Sequence, residues 1–128
     1  MKAPTAVPTG LELEILKVIW RRGPSTVREV YQELLQERKI AYTTVLTMMG
    51  ILEQKGHLKR SPGERAYVYN VTQPQSRIEE NMVREFVGRV FDGSVKPLLV
   101  RLVEDQAIGD RELDEIEKLV RARRRKKA

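Results

Sequence analysis

The sequence lacks cysteine altogether and has a single histidine, His57, among its 128 residues. Without cysteine there is no disulfide framework, no thiolate nucleophile and no cysteine-ligated zinc site. His57 has no evident catalytic partner, and we expect it to be a surface or helix-end residue. A glycine-rich phosphate loop, a metal-ligand cluster and a nucleophile–base set are also missing. We therefore predict a protein that is not an enzyme and needs no cofactor or metal.

Long hydrophobic runs are missing as well. No stretch approaches the roughly 18 apolar residues that a membrane span needs, and no apolar signal segment opens the chain. We therefore expect a soluble, cytoplasmic protein. Hydrophobic residues make up 41% of the sequence, which is ample for a folded core. The length suits one domain, or a small domain with an appended assembly element.

Charge is divided unevenly along the chain. Residues 1–73 carry 11 basic and 7 acidic side chains, residues 74–120 carry 7 basic and 11 acidic, and residues 121–128 carry 6 basic and none acidic. A basic front part and an acidic middle part indicate that the front part meets a polyanion and the middle part meets protein. The basic tail is typical of a solvated chain end, and a supplementary phosphate clamp is the alternative.

Two helices are predicted in the first 40 residues. Thr9 with Glu12, and Thr26 with Glu29, have the spacing of capping boxes, in which each threonine begins a helix. Apolar residues recur at helical spacing behind both, and Gly23-Pro24 separates the two runs. A third helix is predicted over residues 43–55, with Gly56 as its terminator.

The pattern after Gly56 changes from helical to extended. Residues 58–60 and 67–71 read as two strands around a tight turn at residues 61–64. We expect Tyr67 and Tyr69 to pack in the core, together with Trp20 and the pair Met48 and Met49.

Gln73-Pro74 is the predicted boundary between two domains, a winged-helix domain over residues 1–73 and a helical domain over residues 74–128. Ser76 with Glu79 resembles a third capping box, and Ser94 is a candidate cap for a short helix that has Pro97 in its first turn. A last helix follows Gly109.

The order of these elements predicts a mainly α fold with a small β-hairpin wing, an N-terminal winged helix-turn-helix followed by a C-terminal helical dimerisation region. In such modules the third helix enters the major groove. Its predicted outward face is small and polar, with Thr43, Thr44, Thr47 and Gly50 as candidates for base contact. A plain solvated helix face is the alternative reading of the same residues.

Basic residues near this helix and on the hairpin favour DNA binding. Lys55, Arg60 and Arg65 are the candidates for phosphate contact, because each can release a counterion from the DNA backbone. A winged-helix scaffold for protein interactions, in which the charge serves solubility, is the competing interpretation. A membrane-surface role for the last helix and its basic tail is a further alternative.

The C-terminal helices carry more apolar surface than they can bury among themselves, which indicates a partner interface. A homodimer is the simplest partner, since it would present two DNA-binding heads to a palindromic site. The candidate dimerisation residues are Phe86, Val90, Phe91, Leu98, Leu102, Ile116, Leu119 and Val120.

The chain resembles the BlaI/MecI, or penicillinase-repressor, family of transcriptional regulators. The resemblance is carried by residues 11–20, 26–30, 43–52 with Lys55-Gly56, 65–69, 91–94 and 98–100. It implies a homodimer that binds palindromic operators and represses β-lactamase or other resistance genes. It also implies release by proteolysis, triggered indirectly by a membrane sensor protease, at a bond that aligns with Arg101–Leu102. Ile51 stands where the family commonly has arginine. The paired cysteines of the copper-responsive branch are missing here.

Overall fold

The computed structural model describes residues 6–127. The elements in this part of the chain are α1 (Gly10–Arg22), α2 (Val27–Leu35), α3 (Tyr42–Gln54), β1 (Leu58–Pro62), β2 (Tyr67–Val71), α4 (Gln75–Phe91), α5 (Lys96–Glu104) and α6 (Asp110–Lys127). The order helix, helix, helix, hairpin and further helices confirms the predicted mainly α fold with a β-hairpin wing.

Two capping boxes begin α1 and α2, as predicted. At Thr26 the backbone N–H donates to the Glu29 carboxylate over 2.8 Å, and the Glu29 N–H donates back to the threonine hydroxyl over 3.2 Å. The backbone hydrogen bond from Thr26 is the largest cause that lowers the pKa of Glu29. At Thr9 the N–H donates to the Glu12 carboxylate over 3.1 Å. These exchanges satisfy N–H groups that would otherwise have no partner at the helix ends.

One hydrophobic core joins the first three helices to the hairpin. Its fully buried side chains face each other from all three helices, with Val45, Met49 and Leu52 contributed by α3. Tyr69 of β2 is buried in the same core. Trp20 packs against it, and its indole N–H donates to the Gln73 carbonyl over 3.0 Å. The core therefore fixes which side of α3 faces solvent.

Gly56 ends α3, as predicted. Its φ of 87° lies in the left-handed region, where glycine has no steric penalty. The next N–H, that of His57, donates back to the Leu52 carbonyl over 2.9 Å. The chain thus reverses within two residues and enters β1.

The two strands form an antiparallel hairpin in which Leu58 pairs with Val71 and Pro62 pairs with Tyr67. Gly63 lies at the tip, where an added Cβ would approach the Ala66 carbonyl oxygen to 2.5 Å. The tip therefore requires glycine. Ser25 joins the hairpin through an isolated antiparallel bridge to Tyr69, which ties the α1–α2 connection to β2.

Helix α4 begins two residues earlier than the third capping box predicts. Because α4 begins at Gln75, Ser76 lies inside its first turn, and the Pro74 carbonyl accepts the N–H bonds of Arg77 and Ile78. That capping prediction is wrong. Ser94 does not cap α5 either, since Val95 holds that position, while Pro97 lies in the first turn as expected.

The chain divides into two compact units, Met1–Glu85 and Phe86–Ala128. This division falls inside α4. It lies twelve residues after Gln73, where the sequence predicts the domain boundary. Among residues 6–127, no helix is both long enough and apolar enough to cross a membrane.

Candidate nucleic-acid interface

The solvent face of α3 carries a group of small, uncharged side chains beside the exposed Tyr42 and Leu46. Thr43, Thr44 and Thr47 are exposed, and with the half-buried Met48 they line a shallow depression of about 250 Å³. The buried Val45, Met49 and Leu52 lie on the opposite side of the helix, because successive residues are rotated by about 100°. The packing of the core therefore presents the threonines outward, in the arrangement that the sequence predicted.

Gly50 lies on the same outward face, and neither neighbouring atoms nor its backbone conformation require glycine at this position. A Cβ added to Gly50 would have no heavy atom within 4 Å, and its φ lies outside the left-handed region. Alanine would therefore fit, and it would stabilise the helix by about 1 kcal/mol relative to glycine. Neither packing nor backbone conformation within the described residues accounts for glycine here.

Lys55 lies just past the end of α3, and its charge is engaged inside the protein. The Lys55 ammonium contacts Glu12 of α1 at 2.9 Å to Oε1 and 3.1 Å to Oε2. Burial favours the neutral acid, but hydrogen bonds from Lys55 and from the Thr9 backbone outweigh it and lower the pKa of Glu12. The pair joins the beginning of α1 to the end of α3. Lys55 is thus placed to hold α3, whereas the sequence assigned it to a phosphate.

Arg60 connects the hairpin to α3. Its Nε lies 3.4 Å from Oε2 of Glu53, which belongs to the last turn of α3. The guanidinium carbon lies 4.3 Å from the centre of the Tyr67 ring, which is the distance of a cation–π contact. The pKa of Arg60 is raised, first by its hydrogen bond to the Tyr69 side chain and then by the Glu53 carboxylate.

Arg65 lies in the turn between the strands, where it is exposed. Lys59 is exposed on β1, on the opposite face of the hairpin from Arg60, because side chains alternate along a strand. The hairpin thus carries positive charge on both faces and at its tip. Groups of three or more potential metal-ligating side chains do not occur within residues 6–127.

Two sequence-based expectations are corrected by the structure. His57 lies at the end of α3, one of its two expected places, but it is not a surface residue, because 3% of its surface is exposed and its Nε2 lies 2.5 Å from the Ala6 carbonyl oxygen. Tyr67 is half exposed, whereas Tyr69 is in the core. Both tyrosines project from the same face of β2, but Tyr67 lies nearer the tip, beyond the reach of the core. Alternation alone does not reveal this difference.

The second unit leaves most of the predicted dimerisation residues exposed. Phe91 and Leu98 are half-buried, and the rings of Phe86 and Phe91 meet edge to face with their centres 5.9 Å apart. The remaining members are exposed, from 37% for Leu102 to 70% for Leu119. Neither α5 nor α6 has a buried residue within this chain. Their apolar side chains are therefore accessible to a partner.

Comparison with known proteins assigns the chain to a family. The penicillinase repressor family matches residues 8–122. The penicillinase repressor of Bacillus licheniformis is 26% identical over 116 residues, which cover 91% of each chain. The transcriptional regulator BlaI of Mycobacterium tuberculosis is 30% identical over 96 residues, 73% of this chain and 70% of that protein.

A solved structure matches more than half of the chain. The solution structure of the DNA-binding domain of the repressor BlaI is 32% identical, with a TM-score of 0.52, and the match covers 59% of this chain and 92% of that one. The match by sequence extends over most of the chain, including the helices after the hairpin. The chain therefore belongs to the penicillinase repressor family, whose members are transcriptional repressors and not enzymes.

Proposed function

We propose that this protein is a transcriptional repressor that binds a palindromic DNA operator as a homodimer. The threonines of α3 and Gly50 approach the base edges in the major groove, and the basic residues of the hairpin hold phosphates. Membership of the penicillinase repressor family and similarity to the DNA-binding domain of BlaI support the DNA-binding part of this proposal. A β-lactamase gene or another resistance or stress gene is the proposed target.

The observation that carries the proposal is the solvent face of α3. Threonine hydroxyls can donate to or accept from base edges, and threonine methyls can contact thymine methyls. Gly50 supports close approach, because the helix retains glycine at a position where alanine would fit without a clash. Short, uncharged side chains allow a helix to lie deep in the major groove, which is about 12 Å wide.

Phosphate contacts are proposed for Arg60 and Arg65, which lie on the hairpin and are exposed. Arginine suits this role because its planar guanidinium can donate two parallel hydrogen bonds to a phosphate. Lys55, the third candidate, has its ammonium in contact with Glu12, so its contribution to phosphate binding is proposed to be secondary to its hold on α3.

The homodimer is proposed because the second unit exposes many large apolar side chains. Large exposed apolar patches are uncommon on monomers and mark interaction surfaces. Most soluble oligomers are symmetric, and a two-fold dimer would place two α3 helices on two half-sites. Induction through a membrane sensor protease, with cleavage at Arg101–Leu102, remains a proposal from the family resemblance.

The test is a salt titration of DNA binding by the full chain. Fluorescence anisotropy should be measured with a random-sequence duplex and with the duplex from upstream of the protein's own gene, at 50 to 300 mM salt. Two arginine contacts from each of two protomers predict a slope of log affinity against log salt of about −3.6. Tighter binding to the upstream duplex is expected as well. Negligible binding to both duplexes at 150 mM salt would favour the protein-interaction scaffold.

A further inference from the structure

Tyr67 is an exposed aromatic side chain on the hairpin, with 50% of its surface accessible. Its ring does not fill the core, where Tyr69 lies. The described contact of the ring is with Arg60, whose guanidinium carbon lies 4.3 Å from the ring centre. The exposed ring is thus available to hold the guanidinium through this cation–π contact.

The register of the hairpin brings these two side chains together. Arg60 pairs with Tyr69, and Pro62 pairs with Tyr67, so Arg60 and Tyr67 are diagonal neighbours on one face. Diagonal pairs are within reach of aromatic and long side chains. The planar guanidinium placed over the ring loses rotamer freedom before any ligand arrives, while its edge can still carry N–H donors toward an anion.

Glu53 holds the guanidinium from the other element. Its Oε2 lies 3.4 Å from the Arg60 Nε, and both side chains are partly exposed, at 33% and 46%. In this contact the carboxylate faces Nε, whereas a phosphate is bound most strongly by two parallel N–H donors. Glu53 also places a negative charge beside the surface that we propose to face DNA.

We propose that Tyr67 is a positioning residue that pre-orders Arg60 for a backbone phosphate, and that Glu53 opposes this contact with its own charge. This inference rests on the proposed DNA-binding function and assigns the hairpin a defined phosphate clamp. On DNA binding, Arg60 keeps its stack on Tyr67 and exchanges the Glu53 carboxylate for the phosphate. Tyr67 fixes the orientation of the Arg60 guanidinium. Glu53 limits how much DNA affinity the contact between Arg60 and the phosphate adds.

The experiment compares DNA affinity and its salt dependence for six proteins, each with the full chain. They are the unaltered chain and the variants Arg60→Ala, Tyr67→Leu, Tyr67→Phe and Glu53→Gln, with the double variant Arg60→Ala/Tyr67→Leu completing a thermodynamic cycle. The probe is a fluorescein-labelled random-sequence duplex. Thermal unfolding of each variant checks that the fold is retained.

Tyr67→Leu is expected to weaken binding about three- to tenfold and to reduce the salt slope by about one per protomer. Tyr67→Phe keeps the ring and should stay within about twofold of the unaltered protein. Glu53→Gln should bind severalfold more tightly, because the carboxylate no longer competes for Arg60. In the double variant the tyrosine change should add nothing to the effect of Arg60→Ala.

The inference is overturned by two results. One is that Tyr67→Leu leaves affinity and salt slope unchanged. The other is that the effects of Arg60→Ala and Tyr67→Leu are additive, since a ring that acts independently of Arg60 has a different role. Failure of the proposed function is distinguishable from both, because the unaltered protein itself would then bind no DNA.

Discussion

The ammonium of Lys55 and the carboxylate of Glu12 form an ion pair across 43 residues of sequence, at 2.9 and 3.1 Å. The Glu12 side chain is 4% exposed and also accepts the N–H of Thr9. The pair links the capping box of α1 to the end of α3. Since α3 carries the proposed base-contacting face, this contact helps to fix how that face is presented.

Replacing Glu12 tests the structural role of this pair. Glu12→Gln removes the charge that holds Lys55 and should lower the free energy of unfolding by about 2 kcal/mol. The measurement is urea denaturation at pH 7. Glu14→Gln is the matched control, because Glu14 pairs with Arg38 on the surface, where loss of an ion pair costs about 0.5 kcal/mol. Equal costs for the two variants would contradict the assignment.

The loss of stability in Glu12→Gln is predicted to depend on pH. The pKa of Glu12 is lower in the folded protein than its ordinary value of 4.5, so ionisation of Glu12 favours folding above that value. This stabilisation should be lost as the pH falls below 4.5 and through the lowered pKa of the folded state. The stability difference between the unaltered protein and Glu12→Gln should therefore shrink in acid. A difference that stays constant from pH 7 to pH 3 would show that the charge is not responsible.

Lys55 and Lys59 should differ in their contributions to the stability of the fold. Lys55→Ala leaves the buried Glu12 without its partner and should reduce stability by about 1 to 3 kcal/mol, with little change in the salt slope of DNA binding. Lys59→Ala should leave stability unchanged, because Lys59 is exposed. Chemical denaturation and anisotropy titrations check both variants. A large loss of salt slope in Lys55→Ala would return Lys55 to the phosphate contacts.

Gly50→Ala should separate stability from binding. The new methyl group fills open space, so the helix should gain about 1 kcal/mol, yet the methyl group would stand between the backbone of α3 and DNA. We expect a higher Tm with a weaker affinity for DNA. Gly88→Ala is the matched control, since Gly88 lies inside α4 and its Cβ would also meet open space. Unchanged DNA affinity in Gly50→Ala would show that the backbone of α3 does not approach DNA closely at this position.

Self-association can be tested at Leu119, which is 70% exposed in α6. Leu119→Glu places a charge in the proposed dimer interface and should shift the protein toward monomer at micromolar concentration. Leu35→Glu is the control, because Leu35 is a comparably apolar, 43% exposed residue of the first unit. Sedimentation equilibrium measures both variants. A dimer that survives Leu119→Glu unchanged would place the interface elsewhere.

Local signals in the sequence predicted the first unit well. The spacing from Thr26 to Glu29 and the glycine at position 56 mark helix ends through bonds between near neighbours, and both are found as expected. The third capping box failed because the hydrogen bonds of α4 begin at the Pro74 carbonyl, two residues before Ser76. A short motif does not reveal which of several nearby residues begins a helix.

Contacts between residues that are far apart in the chain could not be predicted from the sequence. The partner of Lys55 lies 43 residues away, so the sequence did not reveal that its ammonium contacts a carboxylate. The burial of His57 depends on Ala6, which is 51 residues away. The exposure of Tyr67 depends on where the core ends along β2. All three features depend on tertiary packing. Helical periodicity and strand alternation in the sequence give no information about it.

Thr47→Glu tests whether the threonine face of α3 lies against DNA. The substitution places a negative charge in the middle of that exposed face, where it would oppose the phosphates without disturbing the core. Ser76→Glu adds the same charge in the first turn of α4 and serves as the control. By anisotropy at 150 mM salt, Thr47→Glu should bind no DNA, while Ser76→Glu should bind as the unaltered protein does. Undiminished binding by a folded Thr47→Glu variant would show that this face does not lie against DNA.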